Sequence, residues 1–184
     1  MTAVYIHIPF CEHICYYCDF NKVFLEGQPV DQYIDTLLLE MKMRLEERPV
    51  ENVETIFVGG GTPTTLTPKQ LDKLCGGIRE LLPYDEATGE FSFEANPGDL
   101  SLDKLEVMRQ HGVNRLSMGV QSFNQDLLKK IGRIHTVADV YQSVKNAHQV
   151  GFENISIDLI FSLPGQTEED FKDTLSKALA LDLP

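Results

Sequence analysis

Three cysteines crowd into one short segment near the start of the chain, Phe10-Cys-Glu-His-Ile-Cys-Tyr-Tyr-Cys-Asp-Phe20. Cys11, Cys15 and Cys18 form a C-x₃-C-x₂-C run. Thiolates so closely spaced can hold three corners of a cubane iron–sulfur cluster, because such clusters are tethered by cysteine sulfur. The only other cysteine, Cys75, is far along the chain, so the fourth iron would be open to a ligand. An open iron beside a low-potential cluster is a place for chemistry, whereas full ligation suits plain electron transfer. Two readings compete. A disulfide with a spare thiol fits poorly with so few cysteines in a chain that reads as intracellular. A structural zinc site with His7 or His13 as fourth ligand is the closer rival, but such sites usually split their ligands into two knuckles and no second knuckle is present. Cys75 lies in a helical stretch and reads as a small buried apolar residue.

The elements that would position this run follow one repeated pattern, an extended β-branched or aromatic stretch and then an amphipathic helix. The first stretch is Ala3–Pro9. Its helix spans about Asp31–Glu47, with Ile34, Leu37, Leu38, Met41 and Leu45 on one face. The second strand, Glu54–Val58, runs into Gly59-Gly60-Gly61. Its helix opens at Thr67-Pro68-Lys69-Gln70, a capping-box pair with proline at the first helical position. Strand three is Glu90–Ala95, and its helix is capped by Ser101 and stopped near Gly112. Strand four is Arg115–Gln121, then a short helix from Asn124 to Ile131. A longer helix runs from about Thr136 to Val150, with Val137, Val140, Tyr141, Val144 and Ala147 facing inward. Strand five is Asn154–Phe161, and the last helix is capped by Thr167 and carries Phe171, Leu175 and Leu179.

Repeated βα units imply a parallel sheet with right-handed crossovers. Strands buried on both faces read as nearly continuous apolar runs, and these do not. Val4, Ile6 and Ile8 oppose Tyr5 and His7. Phe91, Phe93 and Ala95 oppose Ser92, Glu94 and Asn96. Leu116, Met118 and Val120 oppose Arg115, Ser117, Gly119 and Gln121, and Ile155, Ile157 and Leu159 oppose Ser156 and Asp158. One face suits packed helices. The other carries charges and amides that a dry core would not tolerate without partners. A sheet curling round a wet, ligand-filled interior accounts for this, the alternative being that these polar groups satisfy one another. The expected fold is α/β, a partial TIM-like (β/α)₆ barrel with five βα units of parallel strands, open along the edge of strand five.

Ligands of such folds gather at the carboxyl ends of the strands. The cysteine run follows strand one and Gly59-Gly60-Gly61-Thr62-Pro63 follows strand two. The glycine turn matches neither a P-loop nor a dinucleotide fingerprint, but it lets backbone amides meet a polar ligand. Glu94, Gln121 and Asp158 point inward from strands three, four and five, and carboxylates suit ribose hydroxyls or an ammonium group. Arg133, just past the Ile131-Gly132 helix stop, is placed to clamp a carboxylate. Together they describe a site for a zwitterionic amino acid joined to a nucleoside.

The cysteine run after a first strand, with an aromatic before its last cysteine, resembles the radical S-adenosylmethionine superfamily. Six words narrow the resemblance: Tyr5-Ile-His-Ile-Pro-Phe-Cys11, Gly59-Gly-Gly-Thr-Pro63, Glu94-Ala-Asn-Pro97, Arg115-Leu-Ser-Met-Gly-Val-Gln-Ser-Phe123, Gly132-Arg-Ile-His135 and Asp158-Leu-Ile-Phe-Ser-Leu-Pro-Gly165. They are similar to the oxygen-independent coproporphyrinogen III oxidases and their haem-chaperone relatives. The resemblance implies that Cys11, Cys15 and Cys18 ligate a [4Fe–4S] cluster and that Glu94, Gln121, Arg133 and Asp158 hold S-adenosylmethionine. Tyr5, Gly60, Gly61 and Thr62 would line that site, with Tyr17 beside the cluster. It also implies reductive cleavage of the sulfonium to a 5′-deoxyadenosyl radical, with electrons from a reduced donor. The oxidases carry a further cysteine two residues after the third, where this chain has Phe20. That favours a haem chaperone delivering haem to an acceptor protein over decarboxylation of coproporphyrinogen III. The family continues beyond strand five, so residues 1–184 are expected to form the radical core of a longer architecture, with haem held partly outside it.

The 184 residues suffice for one sizeable core. A formal net charge of −12 argues against nucleic acid and anionic membranes as partners. No stretch has the length of a membrane span, and no signal peptide precedes the cysteine run, which together lead to the expectation of a cytoplasmic protein with reduced thiols.

Overall fold

The computed structural model describes residues 2–184. Five parallel strands form the sheet in chain order: β1 (Ala3–Ile8), β2 (Thr55–Gly60), β3 (Glu90–Ala95), β4 (Arg115–Gln121) and β5 (Asn154–Leu159). Pro9 lacks the N–H that would extend β1. Strand β2 runs two residues further than expected, since Gly59 and Gly60 continue the ladder opposite His7 and Ile8. Strand β5 ends two residues earlier, where Ile160 N turns to donate to Gln121 O and Phe161 swings out, 70% exposed. Among the described residues β1 pairs only with β2 and β5 only with β4, so the sheet is an open arc.

The strand alternation decides which side the helices cover. Ile6, Ile8, Ile56, Val58, Phe91, Phe93, Leu116 and Met118 are buried on the outer face. Helices α1 (Val30–Glu47), α2 (Pro68–Leu81), α3 (Leu102–Gln110) and α5 (Val137–Gln149) pack there; α4 (Gln125–Lys130) and α6 (Glu168–Leu179) follow β4 and β5. Leu71, Leu74, Cys75 and Ile78 of α2 are wholly buried. Each such side chain contributes roughly 1.5–3 kcal/mol by leaving water. Burial also pushes the Cys75 thiol pKa up, consistent with its reading as an apolar core residue.

Helix starts follow their local sequences. Thr67 with Gln70, Thr136 with Asp139 and Thr167 with Asp170 each close a reciprocal capping box. Three expectations need correction. Ser101 precedes α3 but its hydroxyl is turned to the Asp103 carboxylate, so its side chain caps nothing. Tyr141 does not face inward: it is 43% exposed at the border of the α5 face, with its ring leaning on Phe123. On α6, Thr174 enters the core, taking hydrogen bonds at the β4 end, while Leu175 and Leu179 lie on the solvent side.

Candidate functional site

At the carboxyl end of the sheet, the cysteine loop folds back over the strand mouths. Its first residues, Phe10 and Cys11, pair with Val23 and Phe24. Lys22 donates to the carbonyls of Cys18 (2.6 Å) and Phe20 (3.0 Å), closing the loop on itself. Tyr16 N donates to Ile131 O at 3.0 Å, tying the loop to the end of α4. The glycine turn fits beneath. A Cβ on Gly61 would lie 2.6 Å from the Pro9 carbonyl carbon, so only glycine allows the two backbones to approach this closely. Gly61 N and Thr62 N then donate to Ile8 O and Phe10 O, both at 2.8 Å.

Cys11, Cys15 and Cys18 line one cavity of about 130 Å³, together with Tyr17, Gly61, Thr62, Glu94, Asn96, Gln121, Arg133 and Asp158. Residues from all five βα units thus meet at one mouth. The three thiols do not converge on a single point: among the described residues, no three cysteine, histidine, aspartate or glutamate side chains are grouped to hold one ion. Cys11 is buried, and desolvation first, then the neighbouring Cys18 and Cys15, raise its pKa, while Thr62 and Lys22 act in the opposite sense. Of the two histidines that a zinc site would recruit, His13 lines this cavity. His7 instead sits between the Tyr5 hydroxyl and Asn21 O, each at 2.9 Å.

The inward polar face divides into two halves. At the amino end of the strands, Arg115 donates to Ser92 Oγ (3.2 Å) and Ser156 Oγ (3.0 Å) and pairs with Glu90 at 3.5 Å. There the polar groups do satisfy one another. Towards the carboxyl end they open on the cavity. Glu94 accepts from Gly60 N at 2.8 Å, and burial, with Asp158 next, raises its pKa despite that bond. Asp158 is likewise raised by burial, opposed by Arg115. Gln121 reaches the cavity by an unexpected route: the β4–β5 register shifts between Gly119 and Gln121, and Gln121 adopts φ 68°, a left-handed conformation that turns its amide inward.

Arg133 is more committed than its sequence position suggests. Its Nη1 donates to Cys15 Sγ (3.6 Å) and its Nη2 to Asn96 Oδ1 (2.7 Å) and to Gly119 O, while the buried Nε has no partner among the described residues. Tyr17 lies against the cysteines, and its hydroxyl is pushed up to about 12, mainly by burial, with Arg133 opposing. Tyr5 and Gly60 line a separate cleft of about 260 Å³ with His7, Phe20 and Asn21, which meets the main cavity at Glu94. Burial and then Glu94 raise the Tyr5 pKa. Phe20 stands 62% exposed between the two. Asn96 and Ser117 lie on the inward face that the alternation gives but carry no site assignment from the sequence, and Lys22 carries no signal there. Asn96 shares the inward parity of Glu94, and that alternation was the available signal.

A cluster with S-adenosylmethionine fits these residues. The donor set lining the cavity is three thiols, two carboxylates and an amide, with an unpartnered buried nitrogen of Arg133, whose guanidinium reaches Cys15.

Comparison with known proteins agrees with this chemistry. The profile of the Radical SAM superfamily matches residues 5–178. The chain is 52% identical over 182 residues to the “Heme chaperone HemW” of Bacillus subtilis, covering 99% of this chain and 48% of that protein. It is 38% identical over 181 residues to the “Oxygen-independent coproporphyrinogen III oxidase” of Escherichia coli, covering 98% and 39% respectively. The solved structure of the Escherichia coli oxidase, described as a radical SAM enzyme, superposes with a TM-score of 0.90 at 36% identity, over 99% of this chain and 42% of that one. The chain therefore spans about half the length of the curated relatives it matches.

Proposed function

Because this chain belongs to the radical SAM superfamily, we propose that Cys11, Cys15 and Cys18 hold a [4Fe–4S] cluster and that Glu94, Gln121, Arg133 and Asp158 receive S-adenosylmethionine across the cavity. Such a cluster, when bound and reduced, supplies an electron to the sulfonium of that ligand. The protein's own part is orientation and exclusion. Glu94, held by Gly60 N, offers an oxygen to hydroxyl or ammonium groups, and Gln121 offers both a donor and an acceptor from a fixed backbone. Arg133 keeps a positive charge beside Cys15, and Tyr17 lines the cavity next to the thiols. Tyr5 and Gly60 border the same mouth through Glu94.

The full protein is a haem chaperone that takes up haem and passes it to an acceptor protein. The observation that carries this reading is Phe20, an exposed apolar ring at the cavity rim where the oxidases would carry a further thiol. The same inward set of carboxylates and amide favours the second reading, a coproporphyrinogen III oxidase fed by a reduced electron donor. Anaerobic reconstitution separates them, using protein of the relatives' full length. Iron and sulfide are expected near four each per chain, with stable haem binding and no conversion of coproporphyrinogen III. Catalytic appearance of protoporphyrinogen by chromatography would establish the oxidase instead. One tightly bound zinc and no sulfide would remove the cluster altogether.

A further inference from the structure

Two of the three cysteines are joined by a continuous chain of hydrogen bonds that runs through Asn96. Cys11 Sγ lies 3.7 Å from Thr62 Oγ1, and Thr62 Oγ1 lies 3.0 Å from Asn96 Nδ2. On the other side Asn96 Oδ1 lies 2.7 Å from Arg133 Nη2, and Arg133 Nη1 lies 3.6 Å from Cys15 Sγ. The directions are determined by chemistry. A guanidinium only donates, so the amide oxygen of Asn96 must face Arg133. Its NH₂ group then faces Thr62 and donates there. With its oxygen accepting from Asn96, the Thr62 hydroxyl has its own proton left to send to the Cys11 sulfur. The chain therefore ends in a donor at each of two sulfurs, and Asn96 is the only member that touches both arms. Its backbone is held as well, since Asn96 N donates to Thr64 Oγ1 at 3.3 Å.

Resting on the cluster reading above, we infer that Asn96 is a positioning residue whose amide aims Thr62 at the Cys11 sulfur and Arg133 at the Cys15 sulfur, raising the reduction potential of the bound cluster. Hydrogen bonds and positive charge at cluster thiolates stabilise the more negative reduced state, and both are among the factors that tune such potentials. The side-chain bonds of Asn96 go to Thr62 and Arg133 and not to a sulfur, so it acts through these two neighbours.

The test is a dithionite titration of reconstituted protein, followed by electron paramagnetic resonance, comparing wild type with Asn96→Leu and Thr62→Val. Asn96→Leu keeps the side-chain size and loses both arms. Thr62→Val loses only the Cys11 arm and guards against a failure of Asn96→Leu to fold. Iron and sulfide contents should match wild type in both. The reduction equilibrium should fall about tenfold for Asn96→Leu, a shift of about 59 mV to lower potential for a one-electron couple, and by less for Thr62→Val. A purely structural Asn96 would alter stability and leave the potential alone. An unchanged potential in Asn96→Leu, or in Thr62→Val where Asn96→Leu does not fold, overturns the inference. Wild-type protein that takes up no sulfide overturns the cluster reading instead, and the inference with it.

Discussion

Alanine at Gly60 should damage this protein far more than alanine at another glycine of similar backbone geometry. Gly60 has φ +120°, and a Cβ there would sit 2.4 Å from Cε1 and Nδ1 of His7. His7 is not free to retreat, because both of its ring nitrogens have partners, the Tyr5 hydroxyl and the Asn21 carbonyl. Gly151 provides the comparison: its φ is +89° and a Cβ there would meet nothing within 4 Å. Holding a non-glycine residue in so sparse a region costs about 1–3 kcal/mol, and the loss of unfolded-chain freedom is common to both variants. Gly60→Ala adds two broken hydrogen bonds at about 1 kcal/mol each and an overpacked ring at about 1–3 kcal/mol. The expected losses are thus about 1–2 kcal/mol for Gly151→Ala and about 4–7 kcal/mol for Gly60→Ala. Urea unfolding followed by circular dichroism measures both, with a common slope securing the comparison. Calorimetry on reconstituted protein should show weaker S-adenosylmethionine binding for Gly60→Ala, since Gly60 N holds Glu94. Equal destabilisation by the two alanines would refute the packing of His7 on the glycine turn as the reason for Gly60.

Asp99 offers a pH test: burial first, then the charge of Glu12, pushes its pKa from 3.8 up to about 6. Its folded-state value exceeds its unfolded one, so the stability it contributes is present in acid and is lost as pH rises through 6. Asp99→Asn should stabilise the chain by about 2 kcal/mol at pH 7, after discounting for partial exposure, and by only about 0.5 kcal/mol at pH 4. A gain that is the same at both pH values in urea titrations would count against that assignment. Lys22→Met should leave the urea midpoint within about 0.5 kcal/mol of wild type, because the bonds it breaks are confined to the loop. Limited proteolysis between Cys18 and Val23 should nevertheless accelerate several-fold. An unchanged cleavage rate would show that the Cys18 and Phe20 carbonyls do not need Lys22.

By itself the sequence determined the repeating βα plan, because hydrophobic alternation and capping residues are local. Phe91, Phe93 and Ala95 opposite Ser92, Glu94 and Asn96 declare a two-faced strand whatever lies around it, and Thr67 with Gln70 starts a helix within four residues. The cysteine spacing is equally local, so the three-thiol loop is legible from the sequence alone. Tertiary structure decided which polar groups serve one another and which are free. Arg115 and Arg133 look alike in sequence, yet Arg115 is spent on Glu90, Ser92 and Ser156, while Arg133 meets a cysteine 118 residues away. Gln121 faces the cavity as alternation predicts, but it sits at a register shift with φ 68°, a local geometry the alternation does not show. Tyr5 and Gly60 were drawn to a neighbouring cleft because His7 packs on the glycine, a contact between two strands. Asn96 is the clearest case. Its inward direction follows from the period of the strand, but its bonds to Thr62 and Arg133 join the ends of three different units. Such pairings arise only when the sheet brings those ends together, since hydrogen bonds act over about 3 Å and no local pattern encodes a partner so distant in the chain.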